Sequence, residues 1–575
     1  MQAHHKNFFL QPSSPRQRQY EALRAYFVDH RPIEEIVKAF GYTKGSFAVL
    51  CTHFRQGKLP PFFIEGKPGP KNQPKKNPVK DLVIALRKKN CSIYDIHRIL
   101  KEKGHRLSAR GVWEILQEVG FARLPRRLDE ERPKWPKPLA APKANIKEFR
   151  LRSGQILETN AAGIFLFVPT LVELDFPSIV QKAAYPGTKM VPPLAYVLSL
   201  LSLKLIGKER ISHVMDICHD QGLGCFVGLN AIPKTTALTT YSYQTQRQHN
   251  LAFLQALIQN VRAKGYLPGE SINLDFHSIP HFGDESILEK NYVPRRSHAE
   301  KSIAVFIAQD ATTRALCYSN ARVLKRDQSD EALKFVSFWQ HSTGNPPKEL
   351  VFDSRLTNVQ NLNRLNAMGV KFLTLRRRSE GIISSLMSLP KASWSPCRLD
   401  VPHRKYRDPL INESRVSING YEAPVRQIAA KGLGRELPTV LITNNFHSKP
   451  STLLTRYAQR MIIENAIADG VNFFHLDALC SSIQIEVDFS VALTVAANLL
   501  YRLLAFKIRG FEDAQPKQIY RKFINTMGSI QVQKHQLVVH FPRRSHNPLL
   551  VEAGYHELSV TVPWMNNYHL RYNFK

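Results

Sequence analysis

Acidic residues are scarce in this 575-residue chain. There are 47 Asp and Glu against 80 Lys and Arg, a formal charge of +33 and a pI of about 9.9. That shortage argues against a basic partner and for a polyanion, and nucleic acid is the commonest polyanion such a protein meets. Cysteine is also sparse. Cys51, Cys91, Cys218, Cys225, Cys317, Cys397 and Cys480 are spread singly with no Cys-x-x-Cys pair, which excludes a disulfide framework and points to a reducing compartment. Cys218, His219 and Cys225 fit no common zinc spacing. The N-terminus lacks the apolar run of a signal peptide. The apolar stretch "VPPLAYVLSLLSLKLI" starts on two prolines and carries Lys204, so no membrane span is expected. The expectation is a soluble cytoplasmic protein associated with the nucleoid. What is abundant is apolar content, 43%, enough for several cores and a prior of three or four domains.

Residues 1–150 hold 31 Lys and Arg against 14 Asp and Glu, an excess of 17 positive charges and about half the total. "IEEIVKAF" has helical apolar spacing, "GYT" breaks it, and "KGSFAVLCTHFRQG" restarts with Thr43 as the cap. The pattern predicts a helix-turn-helix over 1–66, its second helix carrying Lys44, Ser46 and Arg55 toward DNA while Phe47 and Leu50 face inward. A second such unit is expected over 81–131. Its helices are "VKDLVIALRKK", "SIYDIHRILKEKG" and "SARGVWEILQEVGF", with Ser92 and Ser108 as caps, Gly104 and Gly120 at the exits, and Arg110 on the DNA face. Between them the Pro-rich linker 67–80 brings Lys75 and Lys76 to a phosphate backbone. A further linker covers 132–149, and 150–269 reads as a helical domain without evident chemistry.

The period then changes. "ESINLDFHSI" reads as a buried strand with Asp275 in its middle, "KSIAVFIAQD" and "RALCYSNARV" as a hairpin, "SDEALKFVSFWQHS" as a helix, "ELVFDSR" as a strand ending at Asp353, and "VKFLTLRRR" as one more strand. Buried carboxylates need a cation or a metal. Farther on, "YAQRMIIENAIADGV" reads as an apolar helix whose Tyr457, Arg460 and Glu464 lie within roughly 60° of one another and form one polar stripe. Asp275, Asp353 and Glu464 together supply the hard oxygen ligands that two divalent ions, about 4 Å apart, need for phosphoryl transfer. Taken singly, Asp275 and Asp353 would be strand-end caps or ion-pair partners. Asp477 and Asp488, in apolar surroundings, are rivals in supporting positions. His277 and His281 are either near the site or ordinary hydrogen-bonded residues. Arg295 and Arg296 in "YVPRRSHAEK" are assigned to a DNA-contact loop.

The order Asp275, Asp353, Glu464 resembles the DDE transposases of bacterial insertion sequences. "YAQRMIIE" is similar to the signature Tyr, two residues, Arg, three residues, Glu that marks insertion sequence family four. The spacing of 111 from Asp353 to Glu464 suits that family, and the resemblance covers roughly 270–510. It implies a ribonuclease H-like α/β core over 270–379 and 451–510, a β-rich insertion over 380–450, and two Mg2+ or Mn2+ ions on Asp275, Asp353 and Glu464. It also implies DNA contacts by Tyr457 and Arg460, terminal inverted repeats and target DNA as double-stranded partners, and a homodimer in the synaptic complex. The family's lysine seven positions after the glutamate is Val471 here, so Arg460, Arg456 or another basic residue must substitute, or the chain is a catalytically impaired DNA-binding derivative. A recombinase using Tyr457 as nucleophile is the third reading, and the three acids argue against it. Residues 511–575 read as a strand-containing C-terminal cap.

Overall fold

In a computed structural model, the described residues are 9–10, 12, 14–59, 62, 76–121, 149–280, 288–293, 298–401, 406–434, 436–478 and 484–575. The chain divides into two compact units, Met1–Lys137 and Pro138–Lys575.

The first unit contains two three-helix clusters, each with its own core. In one, Pro15–Phe27, Ile33–Phe40 and Lys44–Arg55 enclose Ala22, Leu23, Ile36, Phe40, Phe47 and Leu50. Gly41 adopts a left-handed φ of 68° that ends the middle helix, and Thr43 opens the next by accepting from the Ser46 N–H. In the other, Lys80–Lys88, Ile93–Glu102 and Ala109–Glu118 enclose Val83, Ile96, Leu100, Val112 and Ile115. Ser92 and Asp95 form a reciprocal cap, and Ser108 caps the last helix.

In the second unit a short strand β1 (Ile156–Thr159) precedes a run of helices that ends with Arg247–Ala263. The strand lies inside a segment expected to be wholly helical. Then come β2 (Ser271–Pro280), β3 (Lys290–Val293), β4 (His298–Asp310), β5 (Leu316–Val323), helix Glu331–Thr343, β6 (Glu349–Val351), helix Val359–Ala367 and β7 (Lys371–Leu375). β5, β4, β2, β6 and β7 lie side by side in that order. β4 is antiparallel to both β5 and β2, while β2, β6 and β7 are mutually parallel. The segment after β7 adds β8 (Ser395–Pro396), β9 (Leu410–Val416), β10 (Val425–Lys431) and β11 (Thr439–Thr443), and β11 pairs antiparallel with β7. These strands therefore extend the central sheet, which reaches ten strands among the described residues.

Among the described residues the helix Gln484–Lys507 is the longest, and its segment Glu486–Lys507 could cross a membrane by length and composition; 89% of its apolar window is buried inside this unit. Its polar side chains pin it to β5: Asn498 accepts from the Leu316 N–H, and fully buried Asp488 accepts from the Ala321 N–H and pairs with Arg247 at 2.9 Å. β12 (Gly528–Gln533), β13 (Gln536–Phe541), β14 (Val560–Val562) and β15 (Tyr568–Phe574) then form a second sheet, and β1 closes its edge against β12. One hydrophobic core runs from Leu157 to Tyr572. The helical domain, the strand core and the C-terminal cap read from the sequence thus share a single interior.

The segment 457–471 departs from the expected single helix. It is two helices, Pro450–Gln459 and Ile462–Asn472, joined at Arg460 and Met461. Across the joint the N–H groups of Arg460, Met461, Ile463 and Glu464 bond three residues back instead of four, a tightening of the 3₁₀ kind.

Candidate functional site

The parallel pairing of β2 with β6 sets the two aspartates. Asn273 is level with Val351 at the end of the ladder, and two residues farther along come Asp275, still inside β2 and paired with β4, and Asp353, just past the carboxyl end of β6, so the two acids sit side by side where the parallel pairing stops. The carboxyl ends of parallel strands are where open α/β sheets present their sites. Asp275 accepts from the Phe276 N–H at 2.8 Å, and Asp353 from the Arg355 N–H at 2.9 Å, which fixes one oxygen of each.

Arg460 ties the glutamate to this pair. Its guanidinium is 2.9 Å from Asp275 and 3.6 Å from Glu464, and it lies 5.7 Å from the centre of the Tyr457 ring. Its side chain is 10% exposed, that of Asp275 16% and that of Glu464 53%, so Glu464 is the open side of the cluster. Burial raises the Asp275 carboxyl above the usual carboxylate range; Arg460 opposes that shift and Asp353 adds to it. Burial likewise raises Glu464, against Arg460 and with Asp275 and Asp353. Burial pushes the Tyr457 hydroxyl up to about 12, which leaves it protonated and a poor nucleophile at neutral pH. These five groups form one electrostatic neighbourhood: three carboxylates, one guanidinium and one phenol.

As the side chains lie, no three acid, histidine or cysteine groups among the described residues stand close enough to share an ion. Arg460 holds a place between Asp275 and Glu464. The donor chemistry nevertheless suits a hard divalent cation, because three carboxylates against one guanidinium leave an excess of negative charge in a partly desolvated place.

Arg456, on the preceding helix, donates to Ser271 Oγ at 2.8 Å and lies 3.4 Å from Glu349, while both of its terminal nitrogens are buried without a hydrogen-bond partner. Val471 is buried in the core while Glu464 faces outward. Both lie on the one helix Ile462–Asn472, and seven residues bring them within about 20° of one another, so burial differs along that face: its first turn is open and its last is covered. Asp477 is bound by His277 at 2.7 Å, and His277 and Asp353 line the same cavity. Asp488 lies in the interior with Arg247 and Asn250, as a structural anchor and not a supporting ligand.

The residues assigned to DNA in the first unit are placed as follows. Lys44 is exposed and paired with Glu34 at 2.8 Å, and Arg55 lies 5.3 Å from the Phe27 ring centre. Arg110 is exposed beside Glu114 at 3.3 Å. Lys76, expected in an open linker, is instead held by Glu114 at 2.9 Å and Glu118 at 3.4 Å. Lys75, His281, Arg295 and Arg296 lie outside the described residues. Arg355, Arg376 and Arg377, which flank the aspartates, carry no role in the sequence reading. Arg376 and Arg377 were signalled only by the basic end of "VKFLTLRRR", and Arg355 only by its place two residues after Asp353 in "ELVFDSR".

No family model matches this chain, and no curated protein matches it. Among solved structures, the Mos1 transposase paired-end complex with left transposon end aligns at 11% identity and a TM-score of 0.13, over 62% of this chain and 77% of that one. The pre-cleavage Mos1 transpososome aligns at 9% identity and 0.12, over 62% and 77%. The Mos1 strand transfer complex aligns at 10% and 0.12, over 64% and 78%. At such TM-scores the likeness carries no weight for fold or chemistry.

Proposed function

We propose that the protein is a DNA transposase of the DDE type, which cuts DNA at the ends of its element and joins the freed strand to a target. The observation that carries this reading is the gathering of Asp275, Asp353 and Glu464 around Arg460, beside the point where the parallel pairing of β2 and β6 ends. The strand order β5-β4-β2-β6-β7 supports the ribonuclease H-like part of the proposal, and the Tyr457, Arg460, Glu464 spacing supports the insertion-sequence part.

Asp275, Asp353 and Glu464 would hold two Mg2+ or Mn2+ ions, which supply Lewis acidity for phosphodiester cleavage. Arg460 would shift from neutralising Asp275 toward a phosphate, and Tyr457 would offer its retained proton as a hydrogen bond. Water attack frees a 3′-hydroxyl, which then attacks a target phosphodiester; the protein contributes positioning and charge stabilisation without a covalent intermediate. The helical clusters of the first unit would recognise terminal inverted repeats, with Lys44, Arg55 and Arg110 on the DNA side, and two protomers would hold the two ends.

A second reading, a DNA-binding protein that has lost catalysis, is favoured by buried Val471 at the signature lysine position and by the closed Arg460–Asp275 pair. Incubating a labelled duplex carrying the element end with Mg2+ or Mn2+ separates the two. The transposase yields 3′-hydroxyl ends that vanish in Asp353→Asn and Glu464→Gln while binding persists. Binding without any cut by the unaltered protein would establish the second reading.

A further inference from the structure

Beside the carboxylates the structure opens two cavities that share the walls Arg355 and Arg377. One, of about 370 Å³, contains Asp353, Phe276 and Tyr292. The other, of about 860 Å³, adds Lys325 and Arg376 and has no carboxylate among its described lining residues. Together they form a groove that starts at one candidate catalytic acid and runs between four cations. The cations are held in different ways. Arg355 lies 5.2 Å from the centre of the Phe276 ring, and Arg376 donates to Gln427 Oε1, so both are braced. Arg377 and Lys325 are exposed, with their charges available to solvent. Tyr292 is 55% exposed although it lines the cavity.

We propose that this groove binds an unpaired nucleic-acid strand, with its phosphates on Lys325, Arg355, Arg376 and Arg377 and a base against Tyr292. A positive groove that tracks a backbone, with an aromatic face for a base, is how single strands are held without sequence preference. The two cavities, of about 370 and 860 Å³, are of the size that holds ligands of a few rings. A short run of nucleotides fits within such walls, and a duplex can only lie across them. The candidate site therefore receives a DNA end that has come apart, one strand entering the groove beside Asp353. This rests on the nucleic-acid part of the function proposed above and not on catalysis.

The test is fluorescence anisotropy with the full-length protein in EDTA, using labelled oligothymidylate of about 12 nucleotides and a blunt duplex of equal length. Arg355→Ala with Arg377→Ala is expected to weaken single-strand binding about tenfold and to flatten its salt dependence by about 1.4 in log–log slope, with duplex affinity kept within about twofold. Tyr292→Ala should cost single-strand binding about fivefold or more. Lys182→Ala with Lys189→Ala, two exposed cations elsewhere, should change neither. If the double alanine variant is poorly folded by its melting temperature, Arg355→Gln with Arg377→Gln replaces it, and the same loss of single-strand binding is expected. Unchanged single-strand affinity in the folded double variant overturns the groove, as does an equal loss for single strand and duplex, which would mark an undiscriminating basic surface. Metal-dependent cleavage combined with either of those results would sink the groove alone. Groove binding without cleavage would sink catalysis alone.

Discussion

Arg460 is the residue on which the candidate site closes, because among the described residues it is the one cation paired with both Asp275 and Glu464. Removing one partner of a buried pair leaves the other charged and unsolvated, at a cost of about 3–5 kcal/mol. Arg460→Gln is expected to lose stability of that order in chemical denaturation at pH 7.5. The loss should depend on pH in a defined sense. Burial and Asp353 already raise Asp275 above the unfolded value, and Arg460 opposes them; without Arg460 the folded carboxyl holds its proton still more tightly than the unfolded one. The penalty is therefore full above the raised value and fades as pH falls through it, so the variant should approach the unaltered protein near pH 4. A penalty that is the same at both pH values would show that Arg460 acts through packing alone.

At the scale of elements, the helix caps were legible because they depend on neighbours only three residues apart. Ser92 accepts from the Asp95 N–H, and the Asp95 carboxylate accepts from the Ser92 N–H at 2.8 Å. Ser92→Ala should lower the stability of the first unit by about 1 kcal/mol, read as an earlier loss of helical signal from that unit in urea. The hairpin and the mixed strand and helix order were legible for the same reason, through runs of β-branched and apolar residues. The joint at Arg460 and Met461 was not. Both residues keep right-handed helical angles, so the apolar period passes through without a breaker, and only the shortened hydrogen bonds reveal the break. β1 was hidden because four residues, "ILET", set no period of their own and take their structure from β12. The three carboxylates could be named from strand ends and spacing, but the meeting of Arg460 with Asp275 spans 185 residues and depends on the sheet. The cationic groove escaped notice because Lys325, Arg355 and Arg377 come from three separate connections.

At the scale of the whole molecule, the second unit is fastened by contacts between its first and last segments. Gly163 packs so closely that a Cβ there would come within 2.3 Å of the Phe523 carbonyl oxygen and 2.4 Å of the Ile524 Cα. Those are backbone atoms, which have no rotamer to move. Gly163→Ala is expected to cost about 3 kcal/mol through overpacking. In calorimetry the transition of the Pro138–Lys575 unit should drop while that of the Met1–Lys137 unit stays in place; equal drops in both would show that the two units melt as one. The charge of +33 acts at this scale too, through its reach toward polyanions and not through any one contact.

The pairing of β1 with β12 also concerns time. Thr159 meets Gly528, which leaves the ribosome 369 residues later. At synthesis rates of about 5–20 residues per second, the residues of β1 wait roughly 20–70 s as an unpaired segment before the partner that shapes them exists. A chain cut short before Gly528 would leave that segment without its partner and the shared core without Ile530, Val532, Leu537 and Val539, so a truncated product of this gene should be a substrate for chaperones or for aggregation and not a smaller working protein.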